Sequence, residues 1–194
     1  ESTTTPSCTA VNTFPFTETF EAASSTLNCW TQVQEVGNED WTFADGSGYT
    51  INSAHGGTQN ARFVSMQGTG TPVTKLVSPT LDLSSLPNAQ LRFYYGQETY
   101  SADTNETKVY YSTDSGASWI EIAHYTAAIS SWTEETLTLP NPSANYMIAF
   151  EGINNFGYSN VIDDVVIEES TLSIDEVVGL ENVSIYKTDA RTLR

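Results

Sequence analysis

Residues 161–167 (Val161, Ile162, Asp163, Asp164, Val165, Val166, Ile167) are the stretch that most constrains this chain. A continuous β-branched run broken only by two carboxylates reads as a strand covered on both faces. Successive side chains of a strand point to opposite faces, so Asp163 and Asp164 meet different surroundings. If both faces pack on apolar layers, one carboxylate enters a place where an unpaired charge costs several kcal/mol. Two kinds of partner are open. One is a captured hard cation, for which Ca2+ suits oxygen ligands best. The other is a set of backbone amides donating to a strand-end Asp at a turn. Side-chain cations are scarce, because before the C-terminal tail there are only Arg62, Lys75, Arg92 and Lys108.

The rest of the sequence is written in the same idiom. Alternating or β-branched runs are expected as short strands over residues 14–21, 27–33, 61–66, 75–79, 81–83, 91–95, 108–112, 119–123, 132–139, 146–151 and 160–168. Between residues 45 and 57 stand Gly46, Gly48, Gly56 and Gly57, which mark a long loop. Amphipathic helical patterns are absent, and 194 residues suffice for one sandwich domain with a short appendage. The fold class is all-β, an antiparallel β-sandwich of jelly-roll type. The core is expected to take Trp30, Trp41, Phe93, Trp119 and Phe150. Ser112, Asp114, Gly116 and Trp119 fit an Asp-box spacing, which a single structural hairpin explains: Asp114 accepts backbone amides across the turn and Gly116 allows positive φ.

Charge and motifs exclude whole classes of function. A net charge of −17 is wrong for a phosphate backbone, so no nucleic acid partner is expected. It is equally wrong for an anionic membrane surface. No run approaches the ~20 apolar residues of a spanning helix, so membrane insertion is not expected. Without a starting Met or an apolar leader the chain reads as processed. His55 and His124 are the two histidines, and no metal-binding His motif, nucleophile elbow or phosphate loop accompanies them. Glu134/Glu135 and Glu168/Glu169 are adjacent on strands, so each pair splits between opposite faces and reads as solvated edges rather than a hydrolytic couple. The chain is expected not to be an enzyme. Cys8 and Cys29 are either a disulfide or two buried thiols. The bridge is favoured, would belong to an oxidising compartment and would contribute roughly 3 kcal/mol by closing its loop.

Taken in order, several short pieces carry a resemblance. They are Thr19-Phe20-Glu21, Asn28-Cys29-Trp30-Thr31-Gln32, Glu39-Asp40-Trp41, Lys75-Leu76-Val77-Ser78-Pro79 and Leu91-Arg92-Phe93-Tyr94-Tyr95. Trp119, Trp132, Ala149-Phe150-Glu151-Gly152 and Ile162-Asp163-Asp164-Val165 complete the set. Together they resemble the MAM-type jelly roll and the related cleaved-adhesin, or choice-of-anchor, modules of secreted and surface proteins, over residues 14–169. Residues 1–13 are then an N-terminal leader and 170–180 a linker. Residues 181–194 resemble the start of a C-terminal sorting domain of the type IX secretion route of Bacteroidetes-like bacteria, with Lys187-Thr188-Asp189 where such domains continue Pro-Asn-Pro.

The resemblance implies a structural Ca2+ held by Glu21 and by Asp164, with Asp40 and Asn60 as further ligands. It pairs Cys8 with Cys29, although Cys8 lies further upstream than is usual. It implies a secreted or cell-surface, non-catalytic binding module. The partner would be a polysaccharide or cell-surface glycan; the alternatives are a surface protein or a place as accessory domain of a secreted hydrolase. Rings are the groups that would meet a sugar face. Tyr94, Tyr100, Tyr111, Tyr125, Trp132, Phe156 and Tyr158 are candidates. Tyr100, Trp132, Phe156 and Tyr158 stand first, and the loop Asn154-Asn155-Phe156-Gly157-Tyr158 is the best surface candidate, because a loop need not bury its rings. That these rings merely cover the edge of the core is the plainer alternative.

Overall fold

In the computed structural model the described residues are 8–64 and 70–170. The expected linker and sorting segment therefore lie outside them, apart from Ser170. Thirteen strands run through the described residues: β1 (Phe16–Glu18), β2 (Thr31–Val36), β3 (Thr42–Ala44), β4 (Asn60–Phe63), β5 (Val73–Val77), β6 (Ala89–Gln97), β7 (Thr99–Tyr100), β8 (Asp103–Thr104), β9 (Glu106–Ser112), β10 (Ile120–Tyr125), β11 (Ile129–Thr138), β12 (Met147–Ile153) and β13 (Asn160–Glu169). No α-helix occurs among them. No helix among the described residues is long and apolar enough to cross a membrane.

Two antiparallel sheets face each other. One has the order β11-β6-β13-β4-β3, with β1 also on β13; the other has the order β10-β9-β12-β5-β2. β7 and β8 form a separate small hairpin. This is the expected jelly-roll sandwich. Alternate residues of β6 (Leu91, Phe93, Tyr95), with Ala61, Phe63, Ile162, Val165 and Ile167, pack from one sheet against Leu76, Val109, Tyr111, Ile148 and Phe150 from the other. Gly152 is required in that interface, because a Cβ there would lie 2.5 Å from the Phe63 ring. β13 occupies the centre of its sheet, paired with β6 along most of its length. On its other side it pairs with β4 at its start and β1 near its end.

Several expectations are corrected. Leu27–Cys29 is a 3-10 turn, not strand. The buried Glu18 organises it, its Oε2 accepting from Thr26 Oγ1 (2.6 Å) and Trp30 Nε1 (3.1 Å). The Cys8–Cys29 disulfide is formed beside it. Residues 81–83 contribute only isolated bridges at Leu81. Trp119 is half-buried beside Gly116 rather than a core residue. Tyr111 and Tyr125 are not surface rings. Tyr111 stacks on Tyr146 inside the core, and Tyr125 packs on Tyr95 with its hydroxyl buried.

Candidate functional site

Residues 45–58 lie on the outer face of the six-stranded sheet. On β6 the core takes Leu91, Phe93 and Tyr95, so Arg92, Tyr94 and Gly96 face outward beneath this loop. Gly46, Gly48 and Gly57 sit at φ 61, 84 and 66, the left-handed region that glycine enters without strain. Ile51 presses so closely on Gly96 that a Cβ there would be 2.4 Å from Ile51 Cδ1.

Four carboxylates hold the loop by its main chain. Asp45 Oδ1 accepts from Ala54 N (2.8 Å), and Glu98 Oε1 accepts from Ile51 N (2.9 Å). Asp163 Oδ2 accepts from His55 N (2.9 Å) and Gly56 N (3.1 Å). Glu21 Oε1 accepts from Thr58 N (2.6 Å) and Gln59 N (2.8 Å), and its Oε2 accepts from Thr58 Oγ1 (2.8 Å). The alternatives left open for the acidic pair thus separate. The fully buried Asp163 takes backbone amides, including Asp164 N at 2.8 Å. Burial pushes its carboxyl up to about 6 against the pull of those amides. The amides of Thr58 and Gln59 hold Glu21 below the usual carboxylate range.

Glu21 and Asp164, far apart in sequence, converge on adjacent glycines. A Cβ on Gly57 would lie 2.3 Å from Glu21 Oε1, and one on Gly56 would lie 2.7 Å from Asp164 Oδ2. Asp164 reaches this position from a bulge in β13, at φ 45. Asn60 follows the Gln59 amide that Glu21 holds; its Nδ2 donates to Gly46 O (3.4 Å) and Ala61 O (3.0 Å), while Oδ1 is buried without a partner. Asp40 is not drawn into this group. Its Oδ1 accepts from Gln34 Nε2 (2.8 Å) on β2, in the other sheet. Among the described residues no three His, Cys, Asp or Glu side chains are grouped so as to hold a metal ion. The oxygens of Glu21, Asp164 and Asn60 suit a hard cation, whose remaining donors would have to be carbonyls or water.

Two aromatic groups flank this loop. At the tip, Tyr49 stacks on Tyr158 with centroids 3.8 Å apart, and Tyr100 meets Tyr158 edge-on at 5.3 Å. Tyr49 and Tyr100 are 36% and 47% exposed. Asn105 sets the 155–158 turn, its Oδ1 accepting from Asn155 N and Gly157 N (both 2.9 Å) and its Nδ2 donating to Tyr158 O. Phe156, in the same turn at φ 66, is 51% exposed. At the other end of the loop, His55 stacks on Tyr94 at 3.5 Å and turns an edge toward Trp132 at 6.0 Å. Its Nδ1 is 2.6 Å from Asp164 Oδ2, and Trp132 Nε1 donates to Ser53 O (3.0 Å). Of the expected ligand-binding residues, the fold joins Tyr100 and Tyr158 and places Trp132 in the second group. Tyr49 and His55 were not foreseen as ring partners, although a tyrosine following Gly46 and Gly48 in a loop is itself a surface signal.

The sequence profile of the MAM domain (meprin/A5/mu) matches residues 19–171. The chain belongs to the MAM domain family. Among curated protein sequences none matches. Solved structures similar to this MAM domain include the K1 cleaved adhesin domain of Lys-gingipain from Porphyromonas gingivalis. It has 19% identity and a TM-score of 0.61, over 81% of this chain and 99% of that one. A family 22 carbohydrate-binding module of Clostridium thermocellum Xyn10B has 14% identity and a TM-score of 0.52, over 82% and 96%. TmCBM61, solved with β-1,4-galactotriose, has 12% identity and a TM-score of 0.51, over 73% and 88%. At these identities the MAM domain shares a fold with adhesin and carbohydrate-binding modules.

Proposed function

We propose that this MAM domain is a secreted or cell-surface, non-catalytic binding module that takes a polysaccharide or cell-surface glycan on the ring cluster of Tyr49, Tyr100 and Tyr158. The observation that carries this reading is the cluster itself. Two loops and the β7–β8 hairpin bring two exposed tyrosines, Tyr49 and Tyr100, against the half-buried Tyr158, the arrangement by which flat rings meet sugar faces. The shared fold of sugar-binding modules points the same way. Affinity electrophoresis in gels containing neutral polysaccharides tests it. Retardation by one polymer, lost in Tyr158→Ala with the melting temperature kept, is expected. Equal mobility in every gel would overturn it. A protein partner is the second reading, favoured by Val33 and Val36, which are 44% and 50% exposed on the edge strand β2.

The same reading includes a structural Ca2+ held by Glu21, Asp164 and the Asn60 Oδ1. Such an ion would tie the N-terminal segment and the last strand to one loop, a closure of large sequence separation. A chelator is expected to lower the melting temperature, and Ca2+ to restore it. An unchanged midpoint, with no metal by elemental analysis, would remove the ion from the proposal.

A further inference from the structure

We infer that the two ring groups are the ends of one track, and that its ligand is an uncharged linear polysaccharide gripped along its interior rather than at a terminus. This rests on the glycan reading above and adds length and charge to it.

β6 acts as the ruler. His55 stacks over Tyr94, Ile51 lies on Gly96, and Glu98 holds the Ile51 amide. Tyr158 N donates to the Glu98 carbonyl (2.9 Å), and Tyr100 follows two residues on. At ~3.3 Å rise per residue, four steps along the chain separate Tyr94 on β6 from Glu98 just past its end, whose carbonyl holds Tyr158, so the two ring groups are set roughly 13 Å apart. That is longer than any single sugar ring. Trp132, tied to Ser53, extends the far end, and Tyr49 and Tyr158 close the near end. One loop carries both Tyr49 and His55 and is fixed at residues 51, 55, 56, 58 and 59 by carboxylates. The two ends therefore keep a set spacing before any ligand arrives, and pre-ordered surfaces lose less on binding.

Charge selects the class. Arg92 is taken by Glu134 (3.0 Å) and Glu168 (3.6 Å), and Arg62 Nη1 lies against Gly48, where a Cβ would be 3.1 Å away. A single guanidinium stands against the four carboxylates that hold the loop, in a chain of net charge −17. A uronate or sulfated chain would be repelled.

The test is calorimetric titration of the full chain with linear β-1,4-linked xylo-, gluco-, manno- and galacto-oligosaccharides, from disaccharide to hexasaccharide. Polygalacturonate serves as the charged control. For the sugar that binds, affinity is expected to rise at least about tenfold between the trisaccharide and the hexasaccharide. Trp132→Ala should bring the hexasaccharide down to trisaccharide affinity and leave the trisaccharide unchanged. Tyr158→Ala should weaken both. Trp132→Phe, which keeps a ring but loses the bond to Ser53, separates ring contact from loop support by retaining most of the gain. A flat length dependence, or equal losses on short and long sugars in Trp132→Ala, overturns the track while leaving glycan binding intact. Binding to polygalacturonate overturns the uncharged class. No binding to any oligosaccharide or polymer removes the underlying reading and the track with it.

Discussion

The outer faces of the two sheets use the same excess of acid in opposite ways. On the six-stranded sheet, carboxylates reach up and hold the main chain of residues 45–58, so that a roof of loop and rings covers β6, β13 and β4. Among the described residues, the outer face of the five-stranded sheet is organised instead by a row of side chains. There Val33, Lys75, Glu151, Lys108 and His124 lie opposite one another across β2, β5, β12, β9 and β10. Lys75 Nζ pairs with both Glu35 and Glu151. Its ammonium lies 4.6 Å from the centroid of Tyr110, whose hydroxyl donates to Glu151 (3.1 Å). Lys108 pairs with Glu121 (3.1 Å). Burial pushes the Glu151 carboxyl up, against the pull of Lys75. One face is built to fix a loop, whereas the other neutralises itself side chain to side chain. The difference sets a ring-bearing loop on one face and a buried Lys75–Glu151 pair on the other.

The largest expected effect tests the self-neutralised face. Lys75 and Glu151 keep 5% of their side-chain surface, so Lys75→Met should cost about 3–5 kcal/mol by stranding a buried carboxylate. The melting temperature should then fall by on the order of 10 °C, with most of it recovered in Lys75→Met/Glu151→Leu. An unchanged midpoint in the single variant would break the contrast. A smaller effect tests the roofed face. Gly57→Ala forces a Cβ toward Glu21 at positive φ and should cost about 1–2 kcal/mol. Hydrogen exchange should quicken at the Thr58 and Gln59 amides and stay unchanged on β9 and β12. Exchange that quickens everywhere would mean that the loop is no separate unit.

The smallest effect is a pair of opposed pH slopes, measured by denaturant melts with chelator present. Asp163 has a folded value of about 6, above the ~3.9 of an unfolded chain. The folded protein therefore binds that proton more tightly. This contribution is present at about pH 4, and it fades as pH rises through about 6. Asp114, on the turn beside the five-stranded sheet, is held down to about 2, chiefly by the hydroxyls of Ser118 and Ser112 and the Ser118 amide. Its stabilisation is present above about pH 4 and is lost as pH falls toward about 2. Asp163→Asn should flatten the first slope alone, and Asp114→Asn the second alone. If either variant flattened both windows, the two faces would not be electrostatically separate.

The sandwich was legible because the alternation along residues 91–95, 108–112 and 132–139 is a local signal that tertiary packing reinforces; the strands run on to 89–97, 106–112 and 129–138. The short β3, β7 and β8 were missed, since two or three residues carry no period. Leu27–Cys29 was misread as strand because its turn depends on Glu18, a residue that alternation alone does not distinguish. The site was half legible. Glu21, Asn60 and Asp164 could be named from the resemblance, but Asp40 could not be placed by it, because Gln34 claims its carboxylate across β2. Tyr49 and Tyr158 stack although more than a hundred residues separate them, a contact that no local pattern encodes.

Asp45, Glu98, Asp163 and Glu21 each grip a peptide N–H of this loop or of Gln59 beside it, and most of the side chains above are not part of that grip. Replacing what stands at positions 49, 52 or 53 leaves the fastening untouched, so long as the glycines stay. The surface offered to a partner can therefore be rewritten residue by residue without first rebuilding its mount, much as a binding loop on an antibody scaffold is.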